Sequence, residues 1–438
     1  MELESLNLNE PERSWEDQAL FHLSHQEGTQ LPQVDGGKDA WLFLAAGFII
    51  EGLTWGFAFS YGVFQDYYST VDAFRDSGNI AAIGTCALGI SYLSAPLDFA
   101  LLLGVPRFRR LATPVGFLIM CLALALSSFS QTTTHLILSQ GVAYGLGAGL
   151  AYSPVILFMN EWFVKRRGLA FGTLWAGTGM SGIIFPITLQ WLLGEYGFRT
   201  TLRICSVVLF LLVMPLLYFV KPRLPVTAES ASTIRPFDLS FIWTRSFLIY
   251  QVCNIVEALG FFLPTVYLPT QARSLGVTSQ LASLTVILFN LASMVGCIFM
   301  GMLVDRYRAT TCILVSSIGS GLSVFLLWGF SVSLAPLYVF CIGYGFFAGS
   351  WSSTWPAITR ETQQLKQLAD PAMVLGILEA GRGIGNIASG FLSESLISSR
   401  PLSSAYAFGG TYGSLIIFTG VTSLFGGACV LARPFKWI

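Results

Sequence analysis

Four ionisable side chains stand inside long apolar stretches, where they could do chemistry. Glu51, Glu257 and Glu379 are acids, and Arg382 follows Glu379 by three residues. An unpaired charge is costly in hydrocarbon, so such residues point to proton transfer, to contact with a bound molecule or to a buried structural bond. Glu379 and Arg382 share one helix face and could neutralise each other. The guanidinium could instead bind a carboxylate through two hydrogen bonds.

Polar and aromatic side chains surround these four positions in the sequence. Asn254 lies three residues before Glu257, and Asn386 lies four residues after Arg382. Aromatic residues among glycines and serines are further candidates to line a site, although lipid contact or packing is the alternative for each. They are Trp55, Tyr144, Tyr152, Trp175, Tyr344, Trp351 and Trp355.

Soluble-enzyme chemistry has no support in this sequence. It contains no Gly-Lys-Ser/Thr phosphate loop, no Gly-x-Ser-x-Gly elbow and no histidine pair at metal-binding spacing. The eight cysteines fall in or beside apolar stretches and are expected to be buried, small hydrophobic residues. The formal net charge of zero argues against a nucleic-acid partner. We therefore expect no catalytic residues, no metal and no cofactor.

The composition is that of a membrane protein. Of 438 residues, 54% are hydrophobic and 11% charged, and the mean hydropathy is +0.66, whereas soluble domains have about 25% charged residues. Stretches of roughly 20 apolar residues can cross a bilayer. The sequence predicts twelve of them, at residues 40–64, 79–102, 111–130, 135–158, 169–191, 201–220, 246–268, 281–303, 311–330, 335–357, 373–396 and 410–432.

Charge between these stretches predicts the orientation. Lys and Arg concentrate in alternate loops, including Arg107, Lys165, Arg308 and Arg360, whereas the first loop on the other side is acidic. Basic loops stay in the cytoplasm. Both termini are therefore expected there, with residues 1–39 forming an acidic, disordered tail.

One stretch carries a more specific signal. Lys165, Arg166 and Arg167 precede an apolar segment with small residues at Gly168, Gly172, Ala176, Gly177, Gly179 and Gly182. Small residues three or four apart predict close approach of another helix. The sequence pattern Phe163-x-Lys-Arg-Arg-x-Leu-Ala-x-Gly172 resembles a signature of the monocarboxylate transporter family, which belongs to the major facilitator superfamily. In that family the signature lies at the start of the fifth helix. Asp35-Gly36-Gly37 partly matches that family's second signature, before the first helix, and other runs resemble its fungal members.

A loop motif supports an internal repeat. Gly301-x-Leu303-x-Asp305-Arg306 resembles the superfamily motif that latches helices on the cytoplasmic side through a charge pair and a helix-end interaction. The equivalent place in the first half, Pro106-Arg107-Phe108-Arg109-Arg110, keeps the basic residues and lacks the Asp and Gly. Simple orientation by positive charge is the alternative explanation.

The resemblance implies an all-α membrane protein of twelve transmembrane helices in two six-helix bundles, the major facilitator fold. The expected parts are the tail 1–39, an N-terminal bundle 40–220, a cytoplasmic linker 221–245, a C-terminal bundle 246–432 and a tail 433–438. It also implies a monomeric secondary transporter in the plasma membrane that moves a small organic acid or related metabolite by alternating access. Proton coupling through Glu51, Glu257 or Glu379 is a hypothesis.

The resemblance fails at one important place. Related carriers have an Asp and an Arg four residues apart in helix 8, and these positions align with Ser293 and Cys297. Lactate-type proton symport therefore does not carry over, and a larger, less charged substrate or export becomes more plausible. Two alternatives stay open: efflux of a fungal secondary metabolite, and a non-transporting nutrient receptor.

Overall fold

The computed structural model describes residues 31–74, 79–224, 238–398, 412–435 and 437. The expected tail up to residue 30 and linker residues 225–237 lie outside the described residues, as do residues 436 and 438 of the C-terminal tail.

Twelve membrane-crossing helices account for the described chain. Ten helical stretches are long and apolar enough to span a bilayer. One of them, Arg167–Leu216, has 50 residues, so at 1.5 Å per residue its length of about 75 Å crosses a core of about 30 Å twice. Pro371–Ser398, with 28 residues, supplies the remaining crossing.

The helices are numbered α1 to α12 in chain order, and α5 and α6 are the parts of Arg167–Leu216 before and after Gly197. The other bounds are α1 Gly37–Thr70, α2 Ile80–Gly104, α3 Pro106–Ser127, α4 Thr133–Trp162, α7 Arg245–Ser274, α8 Ser279–Val304, α9 Ala309–Trp328, α10 Leu334–Leu365, α11 Pro371–Ser398 and α12 Gly413–Ala432.

Several predicted boundaries were wrong for identifiable reasons. No loop separates α5 from α6, because a single residue, Gly197, takes the left-handed φ of 72° and turns the chain. The helix α10 is interrupted after Ala348 and resumes through a 3-10 turn, Trp351–Thr354, before continuing to Leu365. The sequence had predicted an uninterrupted helix ending near residue 357.

The helices pack as two bundles, α1–α6 and α7–α12. Within the bundles, the extensive contacts include those of α1 with α5, α3 with α4, α7 with α11 and α12, and α8 with α10. Across the bundles, α5 packs along α8 and α2 packs along α11. These two helix pairs form the seam between the halves of the protein.

The predicted close approach along α5 is confirmed. A Cβ atom added at Gly168 would lie 2.5 Å from the carbonyl oxygen of Gly301, and one added at Gly172 would lie 2.3 Å from that of Cys297. On another face, Gly177 approaches the Phe48 carbonyl of α1. Glycine at these positions lets the backbones touch, which strengthens packing where apolar burial offers no driving force.

One end of the molecule carries Lys165, Arg166, Arg167, Arg306 and Arg308, and we call it the basic end. The helices α1, α7 and α11 all begin there. Glu51, Glu257 and Arg382 lie 14, 12 and 11 residues into these helices, or about 17–21 Å along their axes. Their position is therefore close to the middle of the membrane.

Candidate functional site

The centre of the seam contains an ion pair that the sequence did not predict. Nη1 of Arg382 on α11 donates to Oε2 of Glu257 on α7 at 2.8 Å, and both side chains are buried. The Cζ atom of this guanidinium lies 4.4 Å from the ring centroid of Phe261. Arg382 therefore pairs with Glu257 of the neighbouring helix and not with Glu379 of its own helix, which was one of the alternatives that the sequence left open.

Glu51 occupies the matching place in the first bundle without a cation. Its Oε1 accepts a hydrogen bond from the Thr178 hydroxyl of α5. Its Oε2 is buried and has no hydrogen-bond partner. The Tyr152 hydroxyl of α4 lies near this carboxyl and near the Trp175 side chain, without a hydrogen bond of good geometry to either. This group of atoms has unused hydrogen-bonding capacity.

At the centre, the buried acidic side chains outnumber the buried basic side chains. In the part of the chain that the structure describes, the buried acidic and basic side chains are Glu51, Glu257, Glu379 and Arg382. The carboxyl of Glu379 is within electrostatic reach of the Glu51 and Asp98 carboxyls. With Arg382 bound to Glu257, two acids remain without a cation. Such acids are stable in a membrane interior when protonated or when a ligand satisfies them.

Aromatic rings surround these groups on both sides of the seam. Trp55 packs on Tyr92 with ring centroids 4.5 Å apart and meets Tyr152 edge-on at 5.9 Å. Two contacts cross between the bundles. Trp175 meets Trp355 edge-on at 5.4 Å, on the side toward the basic end, and Phe59 stacks on Phe262 at 6.0 Å, toward the opposite end. The acids therefore lie between two aromatic contacts.

The interruption of α10 brings polar groups to the same seam. The turn Trp351–Thr354 packs against α5, α8 and α9. Buried polar atoms without a hydrogen-bond partner are concentrated here: Trp351 Nε1, Ser353 Oγ, Thr354 Oγ1 and Trp355 Nε1. Broken helices in membrane proteins are tolerated where their groups meet protein or line a binding site.

The remaining sequence candidates divide into two groups. Asn254 donates to the Leu378 carbonyl and fastens α7 to α11, and its Oδ1 is unpartnered. The buried hydroxyl of Tyr344 is likewise unpartnered, and Asn386 lies buried one turn beyond Arg382. Tyr144 is different, since its hydroxyl donates to the Thr54 carbonyl at 2.9 Å inside the first bundle.

At the basic end, two carboxylates accept hydrogen bonds from backbone amides just before and at the start of α5. Asp35 accepts hydrogen bonds from the backbone amides of Val164, Lys165 and Arg166 at 2.9–3.0 Å. Asp305, at the end of α8, accepts from those of Gly168 and Leu169 at 2.7 and 2.9 Å. Free amides at a helix start favour a carboxylate. Asp305, the acid of the loop motif, thereby ties the second bundle to the first.

The charged side chains around the Asp305 contact are arranged differently from what the sequence suggested. The side chains of Lys165, Arg166 and Arg306 are exposed. Arg360 of α10 acts electrostatically on Asp305 and donates to the carbonyls of Val304 and Tyr307. Arg167 donates to Gln363 of the second bundle at 3.4 Å. Partial burial raises the pKa of the Asp305 carboxyl, and the hydrogen bonds from Leu169 and Gly168 oppose this.

At the equivalent position in the first half, after α2, a different acid makes the helix-start contact. The loop after α2 lacks an Asp, as the sequence showed, and the start of α11 is instead held by Asp370, which accepts from the Ala372 amide at 2.8 Å. Arg109 after α2 acts electrostatically on this carboxyl. The sequence Asp370-Pro371 is a recognisable helix start, so this residue could have been found from sequence.

Hydrogen exchange can test the two-carboxylate arrangement. We expect Asp35→Ala to speed amide exchange at residues 164–166 and Asp305→Ala to speed it at 168–169, each by about tenfold, because a lost helix-start carboxylate costs about 0.5–2 kcal/mol. The exposed Asp39 of the same end provides the control, and Asp39→Ala should change neither segment. Equal exchange in all three variants would contradict the arrangement.

The two uncharged positions in α8 have a packing role. The Ser293 hydroxyl lies 2.2 Å from a Cβ atom built at Gly349, and Cys297 Sγ is 3.4 Å from the Gly349 carbonyl. Both therefore pack where α10 is interrupted. All eight cysteines are free, and all are buried except Cys86, which is half-buried. Among the described residues, no group of three His, Cys, Asp or Glu could hold a metal ion.

Comparison with known proteins agrees with this architecture. The chain is 28% identical to "MFS transporter asaE" of Aspergillus flavus over 403 residues, covering 91% of this chain and 87% of the relative. It is 27% identical to "Agnestins efflux protein AgnL12" of Paecilomyces divaricatus over 93% of this chain and 90% of the relative. For "Aspyridones efflux protein apdF" of Emericella nidulans the identity is 27%, over 78% and 69%.

The sequence profile of the Major Facilitator Superfamily matches residues 43–359 and 250–435, which together cover nearly all the helices. The all-helical fold and the relatives agree with this match. Members of the superfamily carry small molecules across the lipid bilayer and are not enzymes. This chain belongs to the Major Facilitator Superfamily and is a multi-pass membrane transporter.

Proposed function

We propose that this transporter exports a metabolite of low charge in exchange for protons. The observation that carries the proposal is the Arg382–Glu257 ion pair at 2.8 Å. A cation already bound to a buried acid is not free for a carboxylate substrate, and releasing it would leave Glu257 uncompensated. The nearby carboxyls of Glu51 and Glu379 would repel an anion in the state in which they are ionised.

The names of two relatives favour export. The proteins of Paecilomyces divaricatus and Emericella nidulans are both named efflux proteins, for agnestins and aspyridones. Identities of 27% support a shared direction of transport better than a shared substrate. The cargo of this chain is therefore argued from its own residues.

Alternating access would proceed by separation of the bundles along the seam. In the structure the basic end is closed by the Asp305 contact and by the glycine approaches along α5 and α8. Opening away from that end would separate the rings of Phe59 and Phe262, which stack across the two bundles at 6.0 Å.

The membrane arrangement is part of the proposal. Residues 40–220 and 246–432 would form the moving bundles, joined by the linker 221–245, with 1–39 and 433–438 as cytoplasmic tails. The basic end would then face the cytoplasm, and the distribution of Lys and Arg supports this orientation. We propose the plasma membrane as the location and a monomer as the working unit.

Comparing metabolites in cells and medium, with and without this gene in its native host, tests the function. A compound that accumulates inside the deletion strain and disappears from its medium is the expected result. A compound left unconsumed in the medium of the deletion strain would identify an importer. Identical profiles would contradict transport of any metabolite made or used under those conditions.

Proton coupling makes a separate prediction at Glu51. Glu51→Gln keeps a hydrogen bond with Thr178 within reach and removes the group that can gain and lose a proton. We expect transport by this variant in vesicles to lose most of its dependence on an imposed pH gradient. The exposed Glu195 offers a matched control, and Glu195→Gln should behave as wild type. An unchanged pH dependence in Glu51→Gln and in Glu379→Gln would exclude both acids.

Uptake of a small organic acid is the second candidate. The resemblance of the entry to α5 to the monocarboxylate transporter family favours it, and Arg382 would then leave Glu257 to bind the substrate. An unconsumed carboxylate in the deletion experiment would support this candidate over export.

A further inference from the structure

We propose that the interrupted part of α10, Trp351–Trp355, binds the cargo together with Trp55 and Tyr152, and that this cargo is an uncharged, flat ring compound rich in carbonyl oxygens. The inference deepens the proposed function and rests on it. It assigns a substrate class to the central site and a binding role to a segment that the sequence predicted as ordinary helix.

The first step is the hydrogen-bonding character of the site. The indole nitrogens of Trp55, Trp351 and Trp355 are buried, and none has a hydrogen-bond partner. An indole N–H can donate a hydrogen bond and cannot accept one. Buried indole N–H groups usually have an acceptor. Three such groups without one indicate that a bound molecule supplies acceptor oxygens.

The second step is the position of these donors. Trp55 contacts Tyr92 and Tyr152 in the first bundle. Trp355 contacts Trp175 across the seam, and the Tyr152 hydroxyl lies near the Trp175 ring. Trp55 and Trp355 therefore belong to one connected group of rings that reaches both bundles, which is where an alternating-access carrier holds its cargo. Trp351 lies four residues before Trp355, in the adjoining turn.

The third step is the backbone at the interruption. The helix α10 stops at Ala348, and Trp351–Thr354 forms a 3-10 turn before α-helical structure resumes at Trp355. Ser353 Oγ and Thr354 Oγ1 in this turn are also buried and without partners. Unpaired polar groups are expensive in a membrane interior unless a ligand or water completes their bonds. The turn thus presents hydroxyl groups and indole N–H groups from one short segment.

The fourth step is charge. An anion would lack a free cation, because Arg382 is held by Glu257, and it would face the Glu51 and Glu379 carboxyls. A cation would suit those carboxyls and would leave the indole donors unsatisfied. A neutral compound with carbonyl oxygens satisfies the donors, and a hydroxyl on it could donate to the free Oε2 of Glu51. Flat rings also match the aromatic surfaces around the site.

Three ring compounds that differ in charge test this inference. Binding of coumarin, coumarin-3-carboxylate and 3-(aminomethyl)coumarin to the purified full-length transporter can be compared by equilibrium dialysis. We expect coumarin to bind at least about tenfold more tightly than either charged compound, since a buried charge without a partner is costly. Tighter binding of the carboxylate or of the ammonium compound would overturn the inference, as would no binding of any of the three.

Variants of two tryptophans locate the binding. Trp355→Phe keeps a ring and removes the donor, and we expect it to weaken coumarin binding by about tenfold, the value of one lost hydrogen bond in a dry site. Trp191 on α5 is 58% exposed, and Trp191→Phe should leave binding unchanged. Equal binding by wild type and Trp355→Phe would remove this segment from the site.

These binding results are independent of the direction of transport. The deletion experiment could show that this protein exports a compound while the carboxylate probe binds best, and then only the substrate class fails. If coumarin binds as expected and the deletion strain exports normally, the proposed function fails and the site assignment stands.

Discussion

Replacing Arg382 with glutamine is expected to destabilise the protein more than any other single change at the centre. The guanidinium is the buried partner of Glu257 and also covers the Phe261 ring. Removing one member of a buried pair leaves an uncompensated carboxyl, at a cost of about 3–5 kcal/mol. We expect a clearly lower unfolding temperature for Arg382→Gln in detergent, measured by differential scanning fluorimetry.

Two further variants separate charge from general damage. The double variant Glu257→Gln/Arg382→Gln removes both charges and should recover most of the lost stability, because no isolated charge remains. Arg245 is exposed at the start of α7, and Arg245→Gln should shift stability by less than about 0.5 kcal/mol. If the double variant is no more stable than Arg382→Gln, the ion pair does not explain the effect.

The second large effect is expected at Gly172, in the seam. A Cβ atom there would lie 2.3 Å from the Cys297 carbonyl oxygen and 3.0 Å from the Gly301 Cα. Both contacts are with backbone, so α5 and α8 must move apart. We expect Gly172→Ala to cost about 1–3 kcal/mol, as overpacking does, and to slow transport because the basic end no longer closes. Transport assays in vesicles with thermal unfolding alongside measure both effects.

The same substitution elsewhere on this helical stretch is the control. Gly194 has nothing within 4 Å of an added Cβ atom, so Gly194→Ala should be neutral or slightly stabilising, as expected when Ala replaces Gly in a helix. Wild-type transport by Gly172→Ala would show that the seam does not need this close approach.

Much of the fold followed from sequence because it depends on local pattern. The glycines of α5 predicted a touching helix, and Gly168 and Gly172 do meet α8. The twelve apolar stretches predicted the crossings. The interruption of α10 was not predicted this way, because the short polar run Trp351–Thr354 lies inside a longer apolar stretch and its 3-10 turn depends on packing against α5, α8 and α9.

The candidate site was predicted less completely, since its partners come from different helices. Judged by sequence spacing, Glu379 is the acid nearest to Arg382. The packing of α7 on α11 brings Glu257 closer to Arg382 than Glu379 is. Thr178 and Tyr92 were missed, because nothing in their local sequence marks them as neighbours of Glu51 and Trp55. The role of Asp35 had a signal in its Asp-Gly-Gly motif, yet the amides that it holds lie about 130 residues away.

The central claim is that the two bundles alternate about the seam. The distance between a residue of the first bundle and a residue of the second, measured across the basic end, tests this claim most directly. Val164 and Tyr307, just beyond the ends of α4 and α8, are 60% and 52% exposed. Cysteines placed there can carry spin labels while the native thiols stay largely buried. We predict a short distance as the main population, a second and longer one as pH is changed, and a shift to the longer one in Asp305→Ala. A single distance, unchanged by pH and by that substitution, would contradict alternating access at this seam.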